Sequence, residues 1–389
     1  MSDTPRPIGP LTGITIIEVP NIGPLQYAGM LLADFGADVI RIERIDHAAA
    51  GTNAGGFVSP YMTLDRNRQS IAINLKDPDG IELVKELTAQ ADVFLEGFRP
   101  GVMERLGLGP EVLREVHPEL IYGRMTGWGQ TGPLSGDVGH DLNYIAMGGA
   151  LAHIGAPDHL PTIPINLVAD FAGGGMMLAL GICAALVSRA RTGEGQVVDA
   201  AMIDGTASLM SVFHGLDQLG AWGPRGTNIL DGAAPWYNVY RCSDGLDITV
   251  ASYEPQFYVN VLAVMGFDDV DPTRQMSAED WPALHERFRA AFAAETREEW
   301  LTRFAGIEAC VAPVLTMAES RQHPQHVERE TFVEHDGVLH PRPTPRLSVT
   351  PGGVWRSPVA AGADTQRILE RFGIGTDRQE SLRANGSLR

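Results

Sequence analysis

The sequence predicts an α/β protein, with a parallel sheet in its N-terminal part and a smaller α+β unit further along the chain. Short runs rich in β-branched residues alternate with helical segments, which is typical of β-α-β units. The composition is globular, with 44% hydrophobic and 20% charged residues. Its 389 residues exceed one ordinary domain, so we expect two.

The first β-α-β unit lies near the N-terminus. Residues 14–19 (ITIIEV) indicate a buried strand, residues 26–35 a helix that ends at Gly36, and residues 38–42 a second strand. This order favours a parallel sheet with right-handed connections. The first turn lacks the pattern G-x-G-x-x-G, so no motif supports a dinucleotide site.

Further strands are predicted at residues 70–75, 93–95, 120–125 and 196–201. Asp77 and Pro78 are favourable N-cap and N1 residues for a helix over 81–88. A long helix is expected at 172–189, after Asp170. Its most apolar part, residues 176–187, is too short to span a bilayer and is interrupted by glycine.

A domain boundary is predicted in the glycine- and proline-rich stretch 221–235. We therefore expect a large α/β domain over 1–220 and a small α+β domain over 221–318. Within the small domain, Asp244-Gly245 favours a hairpin turn, and Thr296 with Glu299 fits a capping box. Residues 319–389 are predicted to form an extended return segment and a C-terminal helix.

The charge balance limits the possible partners. A formal net charge of -18 argues against nucleic acid or an anionic membrane as the main partner. It leaves room for an anionic small molecule held by a local basic cluster. The three cysteines lie far apart and fit neither a zinc site nor a disulfide framework, so a reducing cytosol is the expected location.

Four basic residues follow predicted strands or open helices: Arg44, Lys76, Arg99 and Arg105. Taken singly, each is better explained as solvated surface charge. Together, on what should be one edge of a parallel sheet, they form a plausible phosphate cradle. Phe98 and Tyr144 are candidates for stacking an adenine.

Two proton-handling side chains stand beside glycines. His140 follows Gly139 and is either a general base or a turn histidine bonded to Asp141. Asp170 precedes a glycine triplet and is either a proton carrier or a helix N-cap. A third candidate, Glu254, precedes a proline and is equally readable as a helix cap.

The chain resembles the family III CoA-transferase (CaiB/BaiF) superfamily, and within it the α-methylacyl-CoA racemase branch. The stretches that carry the resemblance are LLADFGADVIRIER, EGFRPGVMERLGLGP, RMTGWGQTGP, GHDLNY, NLVADFAGGG, TGEGQVVDAAMIDG, NILDGAAPWY and ASYEPQFY. GHDLNY followed by NLVADF and YEPQF looks like the racemase branch in particular.

The resemblance implies a fold, an assembly and a set of site residues. It implies a large Rossmann-like domain completed by the C-terminal segment, a small α+β domain, and an interlocked homodimer. It implies that His140 and Asp170 are the acid/base pair, that Glu254 assists His140, and that no cofactor is required because CoA is part of the substrate. The implied CoA contacts are Arg44, Ile73, Asn74, Leu75, Lys76, Gly97, Phe98, Arg99, Arg105, Gly139, Asp141, Leu142, Asn143 and Tyr144.

Three functions fit these residues. The first is racemisation of 2-methylacyl-CoA thioesters by removal and return of the α-proton, with enolate donors from the start of the helix that bears Asp170. The second is CoA transfer between carboxylic acids with Asp170 as nucleophile. The third is non-catalytic acyl-CoA binding. His140 with Glu254 favours the first, since anhydride chemistry needs no second base.

Overall fold

The computed structural model describes residues 8–20, 22–54, 56 and 58–389, and these form two compact units. The first unit contains the described residues up to Gly148, together with Ile165–Leu209 and Gln325–Arg389. The second contains Gly149–Pro164 and Met210–Pro324. The limits predicted from the sequence were residues 220 and 318.

The predicted limit at residue 220 falls inside the second unit because of one aromatic cluster. Trp222 packs on Phe213 at 4.8 Å, and its indole N–H donates a hydrogen bond to His153 Nδ1 at 3.1 Å. Arg225 also donates to backbone carbonyls of the segment that contains His153. These contacts tie Gly149–Pro164 and the residues around 213 to the glycine-rich stretch.

The strands are short and numbered in chain order. They are β1 (Thr15–Val19), β2 (Asp38–Glu43), β3 (Gln69–Ala72), β4 (Val93–Glu96), β5 (Ile121–Thr126), β6 (Val197–Ala201), β7 (Tyr237–Arg241), β8 (Asp247–Ala251), β9 (Val311–Pro313), β10 (Phe332–His335) and β11 (Val338–Pro341).

The α-helices are α1 (Pro24–Asp34), α2 (Ile45–Ala50), α3 (Pro78–Thr88), α4 (Val102–Arg105), α5 (Pro110–Val116), α6 (Asp141–Met147), α7 (Met177–Thr192), α8 (Met202–Leu209), α9 (Ser211–Gln218), α10 (Pro255–Met265), α11 (Trp281–Phe292), α12 (Arg297–Phe304), α13 (Met317–Gln322), α14 (Pro324–Glu328), α15 (Thr365–Arg371) and α16 (Thr376–Ala384). A wide π-helical segment, Leu167–Met176, leads directly into α7.

The sheet of the first unit is parallel throughout, with the strand order β3-β2-β1-β4-β5-β6. This confirms the predicted parallel α/β architecture. The order reverses between β1 and β4, where connections leave in opposite directions. Ligands of open α/β sheets bind at such a switch point, outside the carboxyl ends of the strands.

The C-terminal part of the chain contributes to the core of the first unit. Ile368 and Leu369 of α15 and Leu382 of α16 are fully buried with residues of β1, β2 and α3. The segment expected to be extended instead contains α13, α14 and the antiparallel hairpin β10–β11. Its many prolines and histidines hid this hairpin, because they obscured the alternation of polar and apolar residues.

The helix after Asp170 begins earlier than predicted. The helical run is continuous over Leu167–Thr192, 26 residues, and is long and apolar enough to cross a membrane by length and composition alone. The expectation that this region is too short was therefore wrong, although glycines do interrupt it, as at Gly181. One face of it is buried: Leu178 and Ile182 pack over Gly123 of β5. Core helices of water-soluble proteins meet the same two criteria.

The second unit has its own sheet and core. β7, β8 and β9 form an antiparallel sheet, and the turn between β7 and β8 contains Gly245 at a φ of 77°, as Asp244-Gly245 predicts. Aromatic side chains fill the core, including Trp236 and Phe288, each 0% exposed. The predicted capping box of Thr296 and Glu299 is present at α12.

A buried ionic cluster lies beneath α1 in the first unit. Arg68 and Glu18 form an ion pair at 2.8 Å with side chains 1% and 0% exposed. Asp65 joins the cluster by pairing with Arg41 at 2.9 Å and with Arg68 at 3.2 Å. Gly29 of α1 leaves room for it, since a Cβ there would lie 2.2 Å from Glu18 Oε2.

Candidate active site

A cavity of about 550 Å³ opens at the carboxyl ends of β1, β4, β5 and β6. Its walls include the residues that directly follow these strands, which places it at the predicted edge of the sheet. Its lining includes Gly23, Pro24, Leu25, Gly97, Phe98, Arg99, Trp128, Gly139, His140, Tyr144, Asn166 and Asp170. The cavity therefore contains both proton-handling residues that the sequence singled out.

Asp170 lies in the π-helical segment and is half-buried at the cavity wall. Asn166, one helical turn earlier, donates a hydrogen bond from Nδ2 to Asp170 Oδ2 at 3.0 Å. Gly23 lies against the same oxygen, since a methyl group there would be 3.4 Å from Oδ2. Burial raises the pKa of Asp170, the Asn166 hydrogen bond lowers it, the charge of Asp141 raises it, and His140 lowers it.

A raised pKa changes what Asp170 can do. A carboxylate with an ordinary pKa is a weak base and almost never protonated at neutral pH. A group whose pKa is closer to the working pH both accepts and donates a proton efficiently. Asp170 is therefore suited to act as base in one direction of a reaction and as acid in the other.

His140 is the N-cap residue of α6 and its side chain is exposed. Its backbone N–H donates to Asn143 Oδ1 at 3.1 Å, which fixes the chain where the helix begins. No hydrogen bond joins the His140 imidazole to Asp141 among the described residues, the alternative left open by the sequence; Asp141 Oδ1 instead accepts two backbone N–H groups. The ring is thus available to a ligand in the cavity.

The Asp141 carboxylate accepts hydrogen bonds from the backbone N–H groups of Ala169 and Asp170, each at 2.8 Å. Asp170 is consequently not an N-cap, since Asn166 holds that position. The expected enolate donors at the start of this helix are also occupied in part. Donors for an enolate would therefore have to come from another element that borders the cavity.

The N-terminus of α1 is that element. Gly23, Pro24 and Leu25 line the cavity, and the amide of Leu25 lies in the first turn, where helices have no internal acceptor. Helix N-termini attract negative charge. The N–H of Gly23 is unavailable, because it donates to Gln26 Oε1 at 3.1 Å.

The glycine triplet after Asp170 has a packing role. A Cβ on Gly174 would lie 2.8 Å from Met202 Cγ, and one on Gly175 would lie 2.7 Å from the Pro24 carbonyl oxygen. Gly205 of α8 faces Gly173 so closely that its Cβ would be 1.8 Å from the Gly173 carbonyl oxygen. The small residues thus let the Asp170 helix approach α1 and α8 backbone to backbone.

Tyr144 is buried within the cavity wall rather than open to a ligand. Its ring packs between Gly127 and Gly139, where a Cβ would lie 2.1 and 2.8 Å from ring atoms, and meets Trp128 edge to face at 4.8 Å. Tyr144 is 5% exposed, so it is not available to stack an adenine as expected. Phe98 lines the cavity and remains a candidate for that contact.

The turn after β4 is held by a buried carboxylate. Glu96 accepts a hydrogen bond from the Phe98 N–H at 2.7 Å and one from Arg124 Nε at 2.9 Å. Arg124 in turn pairs with Glu104 at 2.8 Å. These bonds fix the loop that presents Gly97, Phe98 and Arg99 to the cavity.

The other predicted CoA contacts lie outside the cavity lining. Arg44 is exposed and paired with Asp46 at 2.8 Å, Ile73 is in the hydrophobic core, and Leu75 packs against that core. Asn74 Oδ1 accepts the Lys76 N–H. The remaining residues on exposed surfaces are Lys76, Arg105, Leu142 and Asn143. Arg44, Lys76 and Arg99 nevertheless follow β2, β3 and β4 at the same sheet edge.

Glu254 belongs to the second unit, where it occupies the N-cap of α10. Its carbonyl accepts the N–H groups of Phe257 and Tyr258, while its side chain makes no capping hydrogen bond. Glu254 therefore caps α10 through its backbone carbonyl and not through its side chain. Among the described residues, no group of three or more His, Cys, Asp or Glu side chains could hold a metal ion.

Three contributors to the site were missed from the sequence. Asn166 and Asp170 have the i, i+4 spacing of helix neighbours, but the helix was expected to start after both. Gly23 lies between the first predicted strand and the first predicted helix, and no motif around it indicates a place in the site. Asp141 was assigned to ligand binding, and no sequence signal points to its bonds with the distant amides of Ala169 and Asp170.

The chain is therefore an α/β protein whose ligand site lies at the ends of the strands of a parallel sheet. At the switch point of this sheet, a carboxylate and an imidazole lie in one crevice. The chain belongs to CoA-transferase family III, whose family model matches residues 11–365. It is 42% identical over 379 residues to the alpha-methylacyl-CoA racemase of Homo sapiens, covering 96% of both chains.

Other relatives span the same length. The alpha-methylacyl-CoA racemase of Mus musculus is 42% identical over 371 residues, with 94% of each chain covered. The succinyl-CoA--D-citramalate CoA-transferase of Chloroflexus aurantiacus is 32% identical, covering 97% of this chain and 98% of that one. The structure of a CAIB/BAIF family protein from Brucella suis superposes with a TM-score of 0.80 at 26% identity, covering 94% of this chain and 100% of that one.

Proposed function

We propose that this protein interconverts the R and S forms of 2-methylacyl-CoA thioesters by moving the α-proton. The observation that carries the proposal is the presence of Asp170, with its raised pKa, and of an exposed His140 in one cavity. The higher identity to two racemases than to a CoA-transferase supports the same conclusion.

The chemistry needs two groups that handle protons and one place for negative charge. The thioester carbonyl acidifies the α-carbon, so a base removes its proton and an enolate forms. A second group then returns a proton to the opposite face, which inverts the centre. His140 starts neutral and Asp170 protonated in one direction, and the reverse direction starts with Asp170 ionised and His140 protonated.

Enolate stabilisation has to supply much of the rate. General acid–base assistance contributes about 10²–10⁴-fold, and one well-placed oxyanion donor about 10²–10³-fold. We assign the donor role to the N-terminus of α1, because Leu25 lines the cavity in the first turn of this helix and helix N-termini attract negative charge. Glu254 is proposed to assist His140.

CoA is proposed to bind along the carboxyl edge of the sheet. Gly97, Phe98, Arg99 and Gly139 border the cavity, and Arg44, Lys76 and Arg105 continue the basic surface. The chain as a whole has a net charge of -18, so these basic residues would form a local anion-binding surface on an acidic protein. Removal and return of a proton involve no change of redox state, and no cofactor beyond the CoA of the substrate is proposed.

The competing function is CoA transfer, in which Asp170 attacks an acyl-CoA and forms an anhydride. The match to the CoA-transferase family III model and the 32% identity to a CoA-transferase are consistent with this reaction. It gives no purpose to a second proton-handling residue in the cavity. His140 is therefore the residue on which the choice between the two functions depends.

Incubation of one stereoisomer of a 2-methylacyl-CoA in D₂O, without any acceptor acid, separates the alternatives. The proposal predicts deuterium at C2 together with loss of stereochemical purity. A CoA-transferase would show no turnover until a free carboxylic acid is added. A binding protein would hold the thioester and leave both the isotope content and the configuration unchanged.

We also propose a cytosolic homodimer. Several apolar side chains of the first unit are exposed, among them Val138 at 71%, Met147 at 60% and Leu180 at 64%, and a second copy would cover them. The three cysteines are unpaired, as a reducing compartment requires. Light scattering should give twice the monomer mass; the mass of one chain would exclude the dimer.

A further inference from the structure

One carboxylate connects the two elements that carry the proton-handling groups. Asp141 is the residue after His140 and begins α6. Its Oδ1 accepts the N–H groups of Ala169 and Asp170, both at 2.8 Å, and the side chain is 6% exposed. The same atom thus fixes the Asp170 backbone from the residue adjacent to His140.

These two hydrogen bonds are not part of the internal backbone hydrogen bonding of either helix. The N–H groups of Ala169 and Asp170 would otherwise lie buried without an acceptor, which is costly for the fold. A water molecule could satisfy one amide but would not connect it to α6. The position of the Asp141 carboxylate therefore sets where the Asp170 backbone lies relative to His140.

The alternative is that Asp141 contacts the ligand, as its place in GHDLNY implied. That role does not suit a side chain whose Oδ1 is already shared by two amides and which is almost fully buried. A second carboxylate facing an anionic CoA would also repel it. At Asp141, only the backbone atoms would contact a ligand.

We propose that Asp141 is a positioning residue for the proton transfer, which bridges the two catalytic elements and sets their separation. This inference rests on the proposed racemase function. Reacting groups need placement to within a fraction of an ångström, and a displacement of about 1 Å costs about 10²-fold in rate. Loss of the bridge should therefore lower turnover while acyl-CoA still binds.

Two variants separate position from charge. Asp141→Ala removes both acceptor bonds, and we expect kcat for C2 deuterium exchange to fall about 10²-fold with KM nearly unchanged. Asp141→Asn keeps an oxygen that can accept both N–H groups, so its kcat should stay within about tenfold of wild type, although neutral hydrogen bonds are weaker.

The pH profile gives a readout that a merely structural role would not move. The titratable groups facing Asp170 are Asp141, His140 and Tyr144, whereas Gly23 and Asn166 bring no charge. Because the Asp141 charge raises the pKa of Asp170, Asp141→Asn should lower it. For the stereoisomer whose α-proton is removed by Asp170, the acid limb of kcat/KM should therefore move to lower pH.

Asp268→Asn is the matched control, since it removes one exposed carboxylate from the second unit and should leave the profile unchanged. If Asp141→Ala does not fold, Asp141→Asn and its pH profile carry the test. Wild-type kcat in both Asp141 variants, or a rise in KM at constant kcat, would overturn the positioning role. Absence of exchange in wild type would instead reject the racemase function.

Discussion

The hydrogen bond from Asn166 to Asp170 offers the most direct way to perturb the acid/base chemistry. Asn166→Ala removes the donor that lies 3.0 Å from Asp170 Oδ2 and leaves the backbone of the helix intact. The bond favours the ionised carboxylate, so its loss raises the pKa of Asp170 further. For the stereoisomer whose α-proton is removed by Asp170, the acid limb of the rate profile should therefore move to higher pH.

The size of the effect follows from the exposure of the pair. A hydrogen bond to a charged group contributes about 1.5–3 kcal/mol when it is sheltered from solvent. Asn166 is exposed and Asp170 is half-buried, so solvent screening reduces this to about 1 kcal/mol, or about fivefold in the ionised fraction at low pH. Above the limb, the wild-type and variant rates should agree.

The assay is the rate of C2 deuterium incorporation, followed from the pH-independent region down to the lowest pH at which the protein stays folded, so that the whole acid limb is covered. Asn260→Ala is the control, because Asn260 is a half-buried asparagine that also donates a hydrogen bond at 2.8 Å, here to the Glu308 carbonyl. An acid limb that stays in place, or that moves to lower pH, would refute the assignment of Asp170 as the group controlled by Asn166.

Three further predictions concern packing, the ionic cluster and the ligand. Gly205→Ala should destabilise the first unit by about 3 kcal/mol in urea unfolding, because its Cβ meets the Gly173 backbone; Gly215→Ala in α9, with open space around it, should not. Arg68→Met should cost about 3–5 kcal/mol by removing the shorter ion pair of buried Glu18 and leaving it only Arg41 at 3.8 Å, whereas Arg241→Met at an exposed pair should cost at most about 1 kcal/mol. Lys76→Ala should raise KM for acyl-CoA by up to about tenfold and weaken its salt dependence with kcat unchanged; an unchanged KM would remove Lys76 from the CoA surface.

The sheet could be predicted from the sequence because the local patterns for strands, helices and helix caps agree in this region. The run ITIIEV became β1, and Asp77 caps α3 through the Asp79 N–H, just as the residue types predict. The shared edge for Arg44, Lys76 and Arg99 followed from the parallel connections. Each of these inferences depends on residues close together in the chain.

What the sequence did not reveal depends on contacts between distant segments. The helix that bears Asp170 starts at Leu167, and the Asp141 carboxylate bonds two of its first amides from 28 and 29 residues away. The wide π-helical turns have no recognised sequence signature. The burial of Tyr144 between Gly127 and Gly139 likewise arises only when the two ends of the loop between β5 and α6 come together, which a stacking assignment from residue type could not foresee.

The central claim is that His140 and Asp170 act as separate bases on opposite faces of the substrate. It is tested most directly by measuring α-proton exchange in D₂O for each pure stereoisomer with His140→Asn and Asp170→Asn. Each variant should fail to racemise but still exchange the one stereoisomer whose α-hydrogen faces the remaining base, and the two variants should have opposite preferences. Equal loss of exchange for both stereoisomers in one variant, with full racemisation in the other, would contradict a two-base mechanism.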